Sequence, residues 1–596
     1  MSCSFRMTGS VLAIGILVLS ACNQGPQTAV VAKPSTTFSS NPCVAATNVQ
    51  LSVAQATRID CSNGGTTVTL AGNGASYLVV PQFATDQIAN QFYSYTMATG
   101  TVAAASASGQ WLPAARRTLG NVVSSAGAGL LPPVRPRAAQ LAAERFLRQR
   151  ARQNARSASV RASVVRQPAS PWNAAAAAPP ALGTSRTFHV ASSFSVNTWK
   201  TVGAQLAFVG SNLLLYIDTL APSNGFTATQ LTSFGQLFDQ TLYPIDTAAF
   251  GAPSDVDQNG RVIMLMSPVV NGDTPASTCA TSGFVAGFFD TEDFNGPTDP
   301  NSNQAEIFYS IVPDPAGTYS CAHTVSDLGN DIPATFLHEL QHLIYYSQHV
   351  IVGGASEGSS WMDEGLSIVA EELGSLYYEQ KCPPPSCRSN AAQLFPDSAQ
   401  GFIQSFLYDS YEYALLPDTV SLTLHDDSED GFSWRGGDWL LMRWLGDQMG
   451  SGFFRKLERG PANGITNIEQ ATGQSFPALF ANFGLSLYTD SLPGLARTTA
   501  PAANRFTSRN MKQLWARLFV TSGPTSDIPL ANPVQLFAIT TDTSAAMMSA
   551  GTMTYFRLDT PANSATVTIR FAAPGGAPFA AAMRSQIAIF RLPAGQ

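Results

Sequence analysis

Charge is scarce in this 596-residue chain: Asp, Glu, Lys and Arg together make up 12% of it, about half the usual share of a soluble domain. The surface must therefore be made polar by Ser, Thr, Asn, Gln and Gly. A disordered chain is excluded from the other side, because 45% of residues are hydrophobic and 10% aromatic, more apolar surface than such a chain carries. Positive charge is unevenly spread along the sequence. Eleven arginines, Arg116, Arg117, Arg135, Arg137, Arg145, Arg148, Arg150, Arg152, Arg156, Arg161 and Arg166, share one stretch with a single acid, Glu144. That stretch carries +10 of a net charge of −7 and leaves −17 on the rest. An acidic body argues against nucleic acid as a partner, and the basic run fits a solvated or surface-binding connector. No apolar run approaches the ~20 residues that cross a bilayer, and no cysteine pattern has the spacing of a zinc ribbon.

The N-terminus carries a targeting signal instead. Arg6 precedes the apolar run Val11 to Leu19, which is too short to span a membrane and ends in small residues, so residues 1–21 read as a signal peptide. Leu19-Ser20-Ala21-Cys22 resembles the bacterial lipoprotein box, which implies lipid on Cys22 and a membrane anchor there. By the same resemblance Asn23, which is not Asp, implies the outer membrane. The expected location is the cell envelope, as an outer-membrane lipoprotein or an extracellular protein, and a plain secretory signal is the alternative. Setting Cys3 and Cys22 aside leaves six cysteines, an even number that suits an oxidising compartment. They fall in three separated couples, so the expected disulfides are Cys43–Cys61, Cys279–Cys321 and Cys382–Cys387.

The length corresponds to about four segments. Residues 22–110 begin as a Thr/Ser/Pro-rich tether and continue as a small β domain with short runs such as Tyr77-Leu78-Val79-Val80. Residues 111–185 turn to Ala, Arg and Pro and read as a linker or a propeptide, with one helical piece near Ala138–Arg156. Residues 186–495 mix strand-like runs at 213–217 and 262–266 with helix-like stretches at 334–349, 361–374 and 437–458, the pattern of an α+β domain. Residues 496–596 return to short strands and read as a terminal β-sandwich. A monomer is expected.

The chemistry concentrates in Thr335-Phe336-Leu337-His338-Glu339-Leu340-Gln341-His342-Leu343-Ile344, an H-E-x-x-H run with helical apolar periodicity, preceded by Asp331 and Pro333 as a helix start. One turn apart, His338 and His342 can hold Zn²⁺ from one face, and Glu339 lies where it can take a proton from water. A catalytic zinc needs a third protein ligand. Histidine at H-x-x-G-x-x-H spacing is rejected, because Tyr345 and Gln348 stand where Gly and His are required. A Glu on a second helix after the Gly353–Gly358 loop is the other option, and Glu364 is the expected ligand.

H-E-x-x-H followed about twenty residues later by Trp361-Met362-Asp363-Glu364-Gly365 resembles the gluzincin metallopeptidases. With Leu366-Ser367 and Glu371-Glu372-Leu373 it is most similar to the hyicolysin-like family. The resemblance, which covers roughly 186–495 and is strong only over 330–375, implies a zincin-like domain between the β domains read above, a zinc role for Glu364, and a bracing role for Glu371 against a ligating His. It also implies a Tyr or His for the oxyanion, but Trp434-Arg435-Gly436-Gly437 stands where Y-x-x-G would be. The remaining candidates are Tyr411, Tyr413 and His425.

Two weaker motifs complete the reading. Asp255, Asp257, Asn259 and Gly260 begin like a calcium loop, but position 12 is Met266 rather than Glu. Gly354-Ala355-Ser356-Glu357-Gly358 matches the G-x-S-x-G of serine hydrolases and is taken as coincidence, since it lies inside the loop joining the zinc motifs. The expected function is a lipid-anchored zinc endopeptidase acting on proteins or peptides, with Zn²⁺ and a candidate Ca²⁺ as cofactors. The competing expectation is a surface adhesin or pseudoenzyme with a structural zinc.

Overall fold

The computed structural model describes residues 40–44, 46–100, 138–155, 179–356, 358–383, 386–388, 394–424, 432–497, 500–523, 525, 527–539 and 544–596. The signal peptide, Cys22, the basic stretch outside 138–155, Glu357 and His425 lie outside them. The described part is mixed α+β. No described helix is long and apolar enough to cross a membrane.

In chain order, six strands come first: β1 (Ser40–Pro42), β2 (Asn48–Val49), β3 (Ala56–Asp60), β4 (Thr67–Ala71), β5 (Ser76–Phe83) and β6 (Tyr93–Thr99). Helix α1 (Ala138–Asn154) follows, then β7 (Ser185–Ser193), β8 (Thr198–Val209), β9 (Leu213–Asp218), β10 (Val262–Met266), β11 (Gly287–Phe289) and β12 (Ile307–Ser310). Four helices build the centre of the molecule: α2 (Val325–Tyr345), α3 (Ser360–Lys381), α4 (Asp397–Leu415) and α5 (Ser433–Met449). The chain closes with β13 (Phe537–Ala538), β14 (Ser544–Met548), β15 (Phe556–Asp559), β16 (Thr566–Ala572) and β17 (Ser585–Arg591).

Strands β7 to β12 form one sheet in the order β11-β12-β10-β9-β8-β7, with β10 parallel to β9 and β12 and β11 antiparallel at one edge. The run Val262-Ile263-Met264-Leu265-Met266 is buried on both faces, as a central parallel strand covered from both sides must be. Phe308 and Phe336 stack edge to face at 5.7 Å and help dock α2 on this sheet.

The β segments at the two ends of the chain, expected as separate modules, pair with each other. One sheet runs β1-β3-β17-β5-β15-β13 and the other β14-β6-β16-β4-β2. Their inner faces share one buried cluster that includes Val68, Leu70, Val79, Met97, Phe571 and Ile589. The expected separation of residues 22–110 from 496–596 therefore fails at the level of strand pairing. The physical reason is that β5 is apolar on both faces: Tyr77 and Val79 enter the sandwich, while Leu78 and Val80 join the core of the helical body. That outer face meets the helix Phe476–Thr489, where Gln82 Nε2 donates to Phe480 O at 3.0 Å and Gln586 Nε2 to Pro477 O at 2.8 Å.

Candidate metal centre

Helix α2 begins earlier than its proline suggests. Thr324 caps it, its Oγ1 accepting the Asp327 N–H at 3.1 Å, and Pro333 lies two turns inside. The expected start at Asp331–Pro333 is corrected by that cap. From Val325 the helix carries His338, Glu339 and His342 to the edge of the sheet. Gly287 at the start of β11 permits the approach, since a Cβ there would lie 2.8 Å from Thr335 Cγ2, 2.6 Å from Tyr309 O and 3.8 Å from Glu339 Cγ. Glu339 is thus buried alongside the sheet edge.

Helix α3 packs across α2 and supplies carboxylates at three levels. Glu371 Oε1 lies 2.7 Å from His338 Nδ1, and Asp363 Oδ1 lies 3.0 Å from His342 Nδ1. Each carboxylate holds the proton of the nitrogen it faces, which turns both Nε2 lone pairs inward. The two Nε2 atoms are 3.1 Å apart, and Glu364 oxygens lie 3.8 Å from the first and 4.0 Å from the second. Two lone pairs that close repel unless a cation or a proton sits between them. Tetrahedral zinc with bonds of ~2.05 Å separates its ligands by about 3.3 Å, so this donor set fits the ion. His338, His342 and Glu364 form a group whose ligand atoms all lie within 4.8 Å of one another.

Over 180 residues the chain is 27% identical to neutral metalloprotease ShpI of Staphylococcus hyicus. The match covers 30% of this chain and 37% of that protein, so it spans well under two thirds of the relative. No family model matches the chain.

Electrostatics separate the roles of the four groups. Burial, then the proximity of His342 and Arg435, lowers the pKa of His338 to about 3. Burial opposes charge on His342 as well, but Asp363, Glu364 and Glu339 outweigh it and raise His342 to about 10. A proton shared by the pair therefore resides on His342, and a metal would have to displace it. Burial raises Glu339 to about 8. Glu364 resists burial and is held far below the usual carboxylate range by Arg435, His342 and Arg148.

Arg435 and Asp363 are site residues that sequence reasoning missed. Arg435, in the first turn of α5, donates to Glu364 Oε2 at 2.6 Å, and its Nη2 is 3.1 Å from His338 Nε2. Its entry depends on the glycines beside it. A Cβ at Gly436 would lie 2.1 Å from the Asp409 carbonyl carbon on α4, and one at Gly437 2.5 Å from Leu422 Cδ2. A cation followed by two glycines at a helix start was the available signal. Asp363 sits beside Glu364 in the second motif and could have been found from that adjacency.

Of the oxyanion candidates, Tyr411 is engaged elsewhere: its hydroxyl donates to Leu530 O at 2.7 Å and accepts the Leu530 N–H at 2.9 Å. Tyr413 is buried near Asp438 and Asp418. Neither hydroxyl hydrogen-bonds to His338, Glu339, His342 or Glu364. Glu372, adjacent to Glu371, faces away from the metal group, accepting the Trp439 Nε1–H at 3.1 Å and pairing with Arg509.

The cysteines pair as Cys43–Cys61, Cys279–Cys321 and Cys382–Cys387, with Cα separations of 4.7, 6.0 and 6.0 Å. The Asp255–Gly260 loop brings the Asp255 and Asp257 carboxylates within 4.8 Å of one another and of Glu306. Asn259, in contrast, uses its Oδ1 to accept the Arg261 N–H at 2.5 Å. Glu306, just before β12, is 1% exposed; its Oε1 accepts from Ser254 Oγ at 2.7 Å while Oε2 has no hydrogen-bond partner.

Proposed function

We propose that this chain is a zinc-dependent peptidase of gluzincin type, secreted, lipid-anchored at Cys22 and cleaving within protein or peptide chains. The observation that carries the reading is the pair of imidazoles, each braced at Nδ1 by a carboxylate, converging with Glu364 beside the edge strand β11. The similarity to a neutral metalloprotease supports the same class. When bound, zinc supplies a Lewis acid that polarises a peptide carbonyl and acidifies water.

The chain's own residues do the rest. The β11 edge can receive an extended peptide by main-chain hydrogen bonding and so orient its carbonyl. Glu339 takes the proton of the attacking water. Its conjugate acid then hands that proton to the leaving amine. Arg435 aims a buried guanidinium at the metal group, where its N–H donors would meet negative charge developing on the carbonyl oxygen, the task a phenol or imidazole would otherwise perform. We also propose that Asp255, Asp257 and Glu306 hold a structural Ca²⁺, with Glu306 taking the place of the carboxylate missing at loop position 12.

Two substitutions test the peptidase. Glu364→Ala should lose zinc and activity together, since two imidazoles leave too few protein ligands. Glu339→Gln should keep near-stoichiometric zinc and lose peptide cleavage by at least ~10²-fold. Elemental analysis and casein cleavage on the same preparations decide it. Zinc binding with no turnover in any form of the chain would instead favour a non-cleaving surface adhesin.

A further inference from the structure

Helix α1 comes from the basic stretch of the sequence, carrying Arg145, Arg148, Arg150 and Arg152 against Glu144. Such a helix normally lies with its guanidinium groups in water. Here Arg148 and Arg150 are 8% and 6% exposed. Contacts at the metal group and at an acidic subsite explain their burial, and a neighbouring contact of the same helix covers the sheet edge; all fall on groups that a peptidase would reserve for metal and substrate.

At the metal, Arg148 Nη1 donates to Glu364 Oε1 at 2.8 Å. Glu144 on the same helix accepts from Arg435 Nη1 at 3.0 Å. At the sheet edge, the side-chain amide of Gln140 makes a matched pair of bonds: its Oε1 accepts the Ala286 N–H at 3.1 Å and its Nε2 donates to Gly287 O at 3.3 Å. One acceptor and one donor presented to an edge strand are what an extended peptide backbone offers. Beyond the end of β11, Arg150 pairs with Asp290, donates to Asn197 Oδ1 at 2.7 Å and lies 4.5 Å from the Trp199 ring. A single helix thus covers the third ligand, the strand edge and an acidic, aromatic-lined subsite.

We propose that α1 is a built-in blocker of the cleft, holding the enzyme latent by competing with the metal for Glu364 and with substrate for β11, and that the Asp290 subsite takes an arginine side chain of a peptide once α1 leaves. The inference rests on the peptidase reading. Because Arg148 already occupies Oε1, one of the two Glu364 oxygens open to a metal, docking of α1 and loading of zinc oppose each other, and each weakens the other by the same factor. Replacing Arg148 leaves no orphaned charge, since Glu364 keeps Arg435 at 2.6 Å and Glu144 keeps it at 3.0 Å.

The test uses the full chain as wild type, Arg148→Gln and Gln140→Ala, with zinc alone as the probe. Zinc half-saturation is measured against a chelator, and amide hydrogen exchange of residues 138–154 is followed with and without zinc. Arg148→Gln should tighten zinc by about tenfold or more, within the usual range of coupling between sites, and zinc should speed exchange across α1 in the wild type by a similar factor. Cleavage of a short peptide should rise in both variants, more for one carrying Arg than for its Ala counterpart. Gln140→Ala removes only the strand-edge amide and carries the test if Arg148→Gln does not fold. Unchanged or weakened zinc binding in Arg148→Gln, together with zinc-independent exchange of α1, would overturn the proposal and make α1 a permanent scaffold. The two failures are distinct: if the peptidase reading is wrong, no chain cleaves although zinc and α1 still compete, whereas if the blocker is wrong, zinc-loaded wild type cleaves as fast as the variants.

Discussion

At the scale of single residues, the proposed metal centre is set by what lies behind its candidate ligands. His342 reaches inward because Asp363 fixes its Nδ1, and His338 because Glu371 fixes its own. An Asp363→Asn substitution keeps the shape but can present an amide donor to the imidazole, disturbing the tautomer. Zinc affinity should fall by about 10–100-fold, the usual cost of losing a ligand's supporting carboxylate, as read by chelator competition. Unchanged affinity would mean that Asp363 only fills space. The grouping of the proposed ligands was legible, because H-E-x-x-H forces His338 and His342 onto one helical face and a helical pair seven residues apart keeps Glu364 and Glu371 together. Arg435 was less so, since a lone arginine has no periodic signature and only the two glycines after it mark the helix start. Tyr411 and Tyr413 have the residue type of an oxyanion donor, but neither hydroxyl hydrogen-bonds to His338, Glu339, His342 or Glu364, and that of Tyr411 is held by Leu530.

Elements show a second kind of legibility. Strands β9 and β10 could be read because continuous apolar runs of that length, bounded by polar turns, demand cover on both faces. The start of α2 was misplaced because Pro333 looked like a boundary while the Thr324 cap lies nine residues upstream. The Asp255–Gly260 loop was readable only in part, as Glu306, the carboxylate that groups with Asp255 and Asp257, comes from the segment just before β12. If those carboxylates hold Ca²⁺, adding the ion to the apo chain should raise the thermal midpoint by several degrees, roughly 4 °C or less per kcal/mol in a chain this large. Glu306→Gln should abolish that shift, and a shift that persists would place the ion elsewhere. The short helix Tyr243–Ala249 makes a pH-dependent contribution of its own. Asp246 there is fully buried, neither oxygen has a hydrogen-bond partner, and burial raises its pKa well above the usual range. Unfolded, the group loses its proton near pH ~3.9. Folded, it keeps the proton, so its contribution is fully present below that pH and is lost as pH rises until the folded group also ionises. Asp246→Asn removes this term. Its melting temperature relative to wild type should therefore climb between about pH 4.5 and 7.5, and a constant difference would show that Asp246 is already charged in the folded state.

On the scale of the whole molecule, the chain's two ends are one structural unit, and this was the least legible feature of all. Each end reads as short alternating strands that satisfy the pattern of an independent β module, and nothing in a strand's own composition names a partner roughly five hundred residues away. Loop-closure entropy grows only logarithmically with separation, so such distant pairing is tolerated once both faces of the strands are covered. The pairing makes β17 the keystone, because it lies between β3 and β5 and is hydrogen-bonded to both. Ile589 on that strand is fully buried in the sandwich core with Val79 and Phe571. Ile589→Ala should cost about 2–5 kcal/mol, the range for truncating a buried isoleucine. The loss should be felt where the chain begins rather than only where it ends. Amide exchange should speed up across Ala56–Asp60 and Ser76–Phe83 by about 30-fold or more, the factor that corresponds to 2 kcal/mol, provided opening of the sandwich governs exchange there. Were the N-terminal strands a module of their own, those amides would keep wild-type protection while only residues near 585–591 loosened.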